Sequence, residues 1–206
     1  MKTSLTQTRR TRADGERSRR AILRTAANLA TIDGLEGLSI GNLAAHTGMS
    51  KSGLYAHFGS KEELQLATVE TARKIFDAEV VEPTQGIHDP LEQLRALCER
   101  FLSYVERRVF PGGCFFASTT AEFGTHPGPV KDEITSVHRG WRELLQRLIR
   151  EAQAAGSLDE AEDPTQLAFE IHAFLLMGNS GFVLDDNPSH LQQARGAVVH
   201  RLAQAS

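Results

Sequence analysis

Cysteine is scarce: 206 residues hold two, Cys98 and Cys114. With no apolar secretory leader ahead of them they build no disulfide framework, and a reducing cytoplasm is the expected location. Long apolar runs are missing as well. The longest, Phe174 to Leu184, is interrupted by Gly178, Asn179, Ser180 and Gly181. That falls short of the roughly 20 residues a membrane helix needs, so a soluble protein without a membrane partner is expected. There is no internal repeat, no low-complexity tract and no strand signal. No Gly-x-Ser-x-Gly elbow, phosphate loop or carboxylate pair appears either. A small helical hydrolase would have to recruit Ser118, His172 and an acid such as Asp132, and nothing in their spacing supports it. Eight histidines are present, but neither Glu122 with His126 nor His138 with His172 has tight ligand spacing. No enzyme activity, metal or cofactor is therefore expected.

What is present is ordinary for a globule, 40% apolar and 24% charged residues with a net charge of −3. The charge is unevenly distributed. Lys2, Arg9, Arg10, Arg12, Arg17, Arg19, Arg20 and Arg24 face only Asp14 and Glu16, so residues 1–24 carry +6 and the remainder −9. A basic arm suits phosphate, and an acidic remainder avoids it. Residues 1–13 taken alone also read as a disordered, solvated tail, and both descriptions can hold if the arm orders on DNA.

The informative stretch is Ser39 to Lys61, SIGNLAAHTGMSKSGLYAHFGSK. Ser39 can cap a short helix that turns Ile40, Leu43 and Ala44 inward, and Gly48 can supply the positive φ of a sharp turn. Ser50 can cap a second helix in which Leu54 and Phe58 face inward while Lys51, Ser52 and Tyr55 point outward. A helix-turn-helix needs this division, because its second helix enters a major groove roughly 12 Å wide. An ordinary helical hairpin shares the bare spacing. Ser60 followed by Glu63 then marks another helix start, whose first amides and Lys61 can meet a phosphate.

Taken together, Gly48, Ser50, Leu54-Tyr55, His57-Phe58 and Ser60-Lys61 make Gly34 to Leu64 similar to the N-terminal domain of TetR-family transcriptional regulators. The resemblance covers about 45 residues with the first helix included. It implies a bacterial-type regulator, a repressor released by a small apolar effector. Ser50, Lys51, Ser52 and Gly53 should lie nearest the base edges, and Ser39, Tyr55, His57 and Lys61 against the backbone of double-stranded DNA.

The expected architecture is all-α with about nine helices: a basic arm (1–15), a three-helix helix-turn-helix domain (16–62) and a helical ligand-binding and dimerisation domain (63–206). The first helix should run from about Glu16 to Ile32, and the fourth from Lys61 to about Val81, where Pro83 and Gly86 stop it. Asp89-Pro90, Asp163-Pro164 and Asn187-Pro188 each place a capping side chain before a proline. Helices are expected from there to near Phe110-Pro111-Gly112, over 164–182 and over 188–203, with others at 113–123 and from Val130 to Gly156. The helix near 164–182 carries Leu167, Phe169, Ile171, Phe174, Leu175, Leu176, Met177 and Phe182 almost all round, so a second copy must cover one side. A homodimer follows, reading a near-palindrome with grooves about 34 Å apart, and the resemblance implies that the last two helices of each subunit form its interface.

Cys114, Phe115, Phe116, Ser118, Phe123, Trp141, Phe169, His172 and Met177 can line an apolar effector cavity, or they can simply fill a core. The resemblance, which implies small-molecule inducers, favours the cavity. A DNA-binding adapter controlled by a protein partner is the alternative. A cavity above roughly 300 Å³ favours the ligand, and a filled core with an exposed apolar patch the adapter.

Overall fold

The computed structural model describes residues 3–206, with side chains from Gly15 onward. Among the described residues there are nine α-helices and no strand. They are α1 (Thr3–Asp33), α2 (Ile40–Thr47), α3 (Lys51–Phe58), α4 (Lys61–Phe76), α5 (Pro90–Glu106), α6 (Phe115–Phe123), α7 (Pro129–Ala154), α8 (Pro164–Asp185) and α9 (Ser189–Gln204). The side chains of Lys2, Arg9, Arg10 and Arg12, four of the basic residues expected in the arm, lie outside the described residues. Helix α1 starts at Thr3 rather than near Glu16. Nothing before Glu16 breaks a helix except Gly15, and one glycine costs only about 1 kcal/mol there.

The first three helices form a small unit. Ser39, Ser50 and Ser60 cap α2, α3 and α4, their hydroxyl oxygens accepting the amides of Asn42, Gly53 and Glu63 at 3.1 Å each. Gly48 takes φ 67° and turns the chain from α2 into α3. Ile40, Leu43, Ala44, Leu54 and Phe58 are buried against Ile22, Ala26 and Ala30 of α1, and the Arg19 guanidinium lies over the Phe58 ring at 4.8 Å.

Helix α4 belongs to two cores. Leu64 and Val69 are buried near its start, where it packs on α1, and Phe76 is buried at its end, where α7 covers it. It does reach Val81, but as a widened π turn over Asp77–Val81 followed by a 3₁₀ turn at Glu82–Thr84 that contains Pro83. Phe76 meets Phe101 and Tyr104 of α5, Phe116 of α6 and Trp141 of α7 edge-on, with centroids 5.3–6.3 Å apart.

Helix α5 ends at Glu106, ahead of Phe110. Val109 N–H donates to Tyr104 C=O and Arg108 N–H to Val105 C=O, closing the helix with Arg108 at φ 48°. Asp89 and Asp163 cap α5 and α8 as expected. Helix α9 starts one residue later than its proline suggests, with Asn187 Oδ1 accepting the Ser189 amide.

Helix α8 is long and apolar enough to match a membrane span by length and composition alone, yet it packs on α5, α7 and α9. The interrupting residues lie inside it and have work there. A Cβ on Gly178 would stand 2.6 Å from that of Ala194, so glycine lets α9 cross closely. Asn179 Oδ1 accepts the Cys114 amide at 2.8 Å.

Gly112 abuts the Thr31 backbone carbonyl of α1 with no room for a Cβ, whereas Gly140 on α7 faces open space. Gly112→Ala should lower stability by about 1–3 kcal/mol through overpacking, and Gly140→Ala should raise it by about 0.5–1 kcal/mol through helix propensity. Urea midpoints of the two variants check both signs.

Candidate nucleic-acid interface and effector cleft

The outer face of α3 is open. Lys51, Ser52 and Tyr55 are exposed, Tyr55 by 55%, while Leu54 and Phe58 on the opposite face are 0% and 2% exposed. Ser50 Oγ lies 3.2 Å from Ser52 Oγ. Its cap uses an oxygen lone pair, so a hydroxyl proton remains for an outside acceptor, and the same is true of half-buried Ser39. Lys51 makes no ion pair among the described residues, and its ammonium rests beside Gly41 of α2. Half-buried His57 tilts against Phe58, with ring centroids 6.0 Å apart. Lys61 is engaged: its Nζ bonds Glu36 Oε1 at 3.0 Å, an exposed pair that holds the Glu36 carboxyl below its ordinary range. The structure thus brings Ser50, Lys51, Ser52, Gly53 and Tyr55 onto one helix, with Ser39, His57 and Lys61 at its margins.

Helix α6 fastens this unit to the rest of the chain, a role that spacing in the sequence does not reveal. Thr31 Oγ1 accepts the Gly112 amide just ahead of α6. At the other end Glu122 Oε2 accepts the Glu36 amide at 3.0 Å, across 86 positions, and its carboxylate fills the space beside Gly34, where φ is 85°. Glu122 is therefore a seam residue, with His126 Nδ1 bonded to its backbone carbonyl at 2.6 Å. Gln65 closes the same loop by donating to Leu35 C=O at 2.8 Å. The Glu36 amide and the Leu35 carbonyl in this turn needed partners, and that requirement is the only local hint.

The C-terminal helices divide the expected cavity. Between Phe76, Trp141 and His172 only about 20 Å³ remains, so the centre is filled. On one side a cleft of about 300 Å³ opens between α4 and α7, sharing Phe76, Val137 and Trp141 with the centre. On the other, a cleft of about 340 Å³ opens between α6, α7 and α8, sharing His138 and His172. Cys114, Phe116, Trp141 and His172 border the filled centre, and Phe123 and Phe169 line the cleft between α6, α7 and α8. The other three candidates do not join them as expected. Phe115 is wholly buried against Phe110 and Phe116. Ser118 spends its hydroxyl on Phe115 C=O within its own helix. Met177 is 72% exposed on the far face of α8. Helical spacing marks a side chain as apolar-facing without saying which neighbour it faces. A further groove of about 580 Å³ between α1 and α4 is walled by Arg19, Arg20, Arg24 and Lys74 with Glu16 and Glu79.

Burial pushes the Cys114 thiol up to about 11 and Cys98 to about 12, which suppresses thiolate chemistry at both. Burial also lowers the basicity of His138 and His172, the latter to about 4, with Arg142 and the neighbouring imidazole adding repulsion.

A capped three-helix unit with an open second-helix face, carried on a separate helical bundle, defines a helix-turn-helix regulator of transcription. The comparisons agree. Residues 22–68 match the model "Bacterial regulatory proteins, tetR family", and residues 90–198 match "Tetracyclin repressor-like, C-terminal domain". The chain belongs to the TetR family of transcriptional regulators. It is 25% identical over 157 residues to the transcriptional regulator AcuR of Cereibacter sphaeroides, covering 75% of this chain and 71% of that one. A crystal structure of a TetR transcriptional regulator from Chloroflexus aurantiacus superposes with a TM-score of 0.87 at 26% identity, over 94% of this chain and 98% of that one. AibR, solved with isovaleryl coenzyme A and operator DNA, gives 0.73 at 30% identity, over 88% and 96%. Such relatives are regulators and not enzymes, as is this chain.

The half-buried imidazole of His172 makes stability depend on pH. With a folded value near 4 against an ordinary 6.5, His172 binds more proton in the unfolded chain between those limits. Stability from this group is therefore full above pH 6.5 and declines as the pH falls toward 4. In urea titrations across that window His172→Gln should lose less stability on acidification than the parent protein.

Proposed function

We propose that the protein is a repressor that binds a near-palindromic operator as a homodimer and leaves it when a small molecule occupies the C-terminal domain. The observation that carries the reading is the open polar face of α3. Ser50, Lys51, Ser52 and Gly53 meet base edges, and Ser39, Tyr55 and His57 meet the backbone. Lys61 exchanges Glu36 for a phosphate, a swap that an exposed ion pair permits because it contributes little on its own.

The dimer is supported by α8. Phe169, Met177 and Leu184 are 66%, 72% and 86% exposed, and with Ala173 and Ser180 they fall on one face at helical spacing. A single chain leaves this stripe in water, whereas a second copy covers it and sets two reading helices about 34 Å apart, or a multiple of that. The larger cleft supports control by a ligand, and so does the relationship to AibR, which was solved with both an acyl thioester and operator DNA. An effector acts by preferring a conformer in which the two reading units are mis-spaced. Repression and a cytoplasmic location are taken from the family.

Binding to a randomised duplex pool tests the interface. Lys61→Ala should weaken all sequences alike and reduce the salt slope by about one phosphate, whereas Lys51→Ala or Ser52→Ala should change which sequences are selected. Uniform loss for Lys51→Ala would move that residue to the backbone.

Sedimentation tests the assembly. Met177→Glu places a charge in the centre of the stripe and should convert a dimer to a monomer with unchanged helicity and at least tenfold weaker operator binding. A parent protein that is monomeric at micromolar concentration, with and without DNA, would rule out this arrangement.

A further inference from the structure

The cleft between α6, α7 and α8 carries positive charge without a counter-charge. Arg142 reaches it from α7 and makes no ion pair or hydrogen bond among the described residues, and Lys131 has only the Gly124 carbonyl, at 2.8 Å. His138 and His172 line its floor with ring centroids 6.3 Å apart. His138 Nε2 is joined to Thr120 Oγ1 at 2.6 Å, whereas His172 has no hydrogen-bond partner among the described residues.

The acids nearby are committed elsewhere. Glu122 holds the Glu36 amide, Glu170 bonds Arg201 and Gln166, and Glu133 opens into the opposite cleft beside Arg73. No carboxylate lines the cleft among the described residues. Its remaining walls include Phe123, Ile134 and Phe169. A cation fork and an unpartnered imidazole at one end of an apolar slot attract a group that is anionic, planar and attached to hydrocarbon.

We propose that this cleft is the effector site and that it takes an amphiphilic monocarboxylate, its carboxylate between Arg142 and His172 and its alkyl or aryl body against Phe123 and Phe169. At about 30 Å³ per water-sized group, the 340 Å³ present admits roughly ten non-hydrogen atoms, the size of octanoate. Burial is the main cause of the lowered basicity of His172, with repulsion from His138 and Arg142 adding to it, and a bound carboxylate relieves that repulsion. Seating the ligand loads the Thr120–His138 bond and so bears on α6, the helix that Glu122 fastens to the reading unit. This inference rests on the effector-controlled reading above.

Trp141 is the only tryptophan in the chain, and its ring centroid lies 6.4 Å from that of His172, so fluorescence reports occupancy directly. The full-length protein is titrated with octanoate, octanamide and octanoyl coenzyme A, and operator affinity is measured in the same samples. Octanoate should saturate the signal and octanamide should bind at least tenfold more weakly, because the site's charged donors are left without an anion. Arg142→Gln should weaken octanoate about tenfold and leave octanamide unchanged, with Lys131→Gln as a milder variant in the same direction. Equal binding of acid and amide, or undiminished octanoate binding in both variants, overturns the proposal. So does binding of octanoyl coenzyme A alone, which would transfer recognition to its phosphates. Octanoate binding without any change in operator affinity would uphold the ligand class and refute effector control.

Discussion

Phe76 is the point on which the two halves of the molecule depend. Helix α4 leaves the reading unit as part of one core and arrives in the bundle as part of another, and the ring at its end is held edge-on by four aromatic side chains from three helices. Each such contact contributes about 0.5–1.5 kcal/mol beyond area burial, so the end of α4 is fixed far more firmly than its exposed start at Lys61. The next turn widens to a π turn, a form that recurs at functional positions in helices. A rigid rod with one clamped end transmits displacement of the clamp to its other end. Phe76 and Trp141 are both in the clamp, and Trp141 also borders the filled centre between the clefts.

Helix α6 gives the reading unit a second attachment, and the two together constrain how it can move. The Gly112–Thr31 contact is backbone against backbone and cannot slide without a clash. The Glu122 contact is one carboxylate against the Gly34–Glu36 turn, and that turn bears the partner of Lys61. A shift of α6 along its axis therefore pivots on the first and pulls on the second. Coupling through such a contact is reciprocal: at the proposed interface, a phosphate that displaces Glu36 from Lys61 is felt at Glu122.

Much of this could be read from the sequence where a local rule applied. Three serines at helix starts, Gly48 at the turn and the inward set Ile40, Leu43, Leu54 and Phe58 are decided by neighbours a few residues away, and the structure follows them. The excess of apolar residues on α8 was equally legible, because no monomeric helix can bury all its faces. What failed depended on distant neighbours. Gly178, Asn179 and Gly181 looked like an interruption of an apolar run, but they are where α9 crosses α8 and where α6 is anchored. Phe115 and Met177 share the spacing of cavity residues, yet one faces the core and the other faces outward. Glu122 could be placed beside His126 by spacing alone, whereas its carboxylate serves a turn far earlier in the chain.

The division of the space among the C-terminal helices has an energetic reason. A dry, enclosed void of about 300 Å³ would cost about 7 kcal/mol at ~24 cal/mol per Å³, comparable with the whole stability of an ordinary domain. A domain of ordinary stability cannot keep such a void sealed. Here the aromatic centre between Phe76, Phe116 and Trp141 holds only about 20 Å³, and the larger volumes lie to either side with polar or charged groups along their walls. His138 and His172 are the residues common to the aromatic centre and the cleft between α6, α7 and α8, so they stand at the threshold between the two. Under the proposed control by a ligand, those polar groups at the threshold select the ligand, and the aromatic layer behind them, which includes Phe76 of α4 and Phe116 of α6, is where its occupancy bears on the two helices.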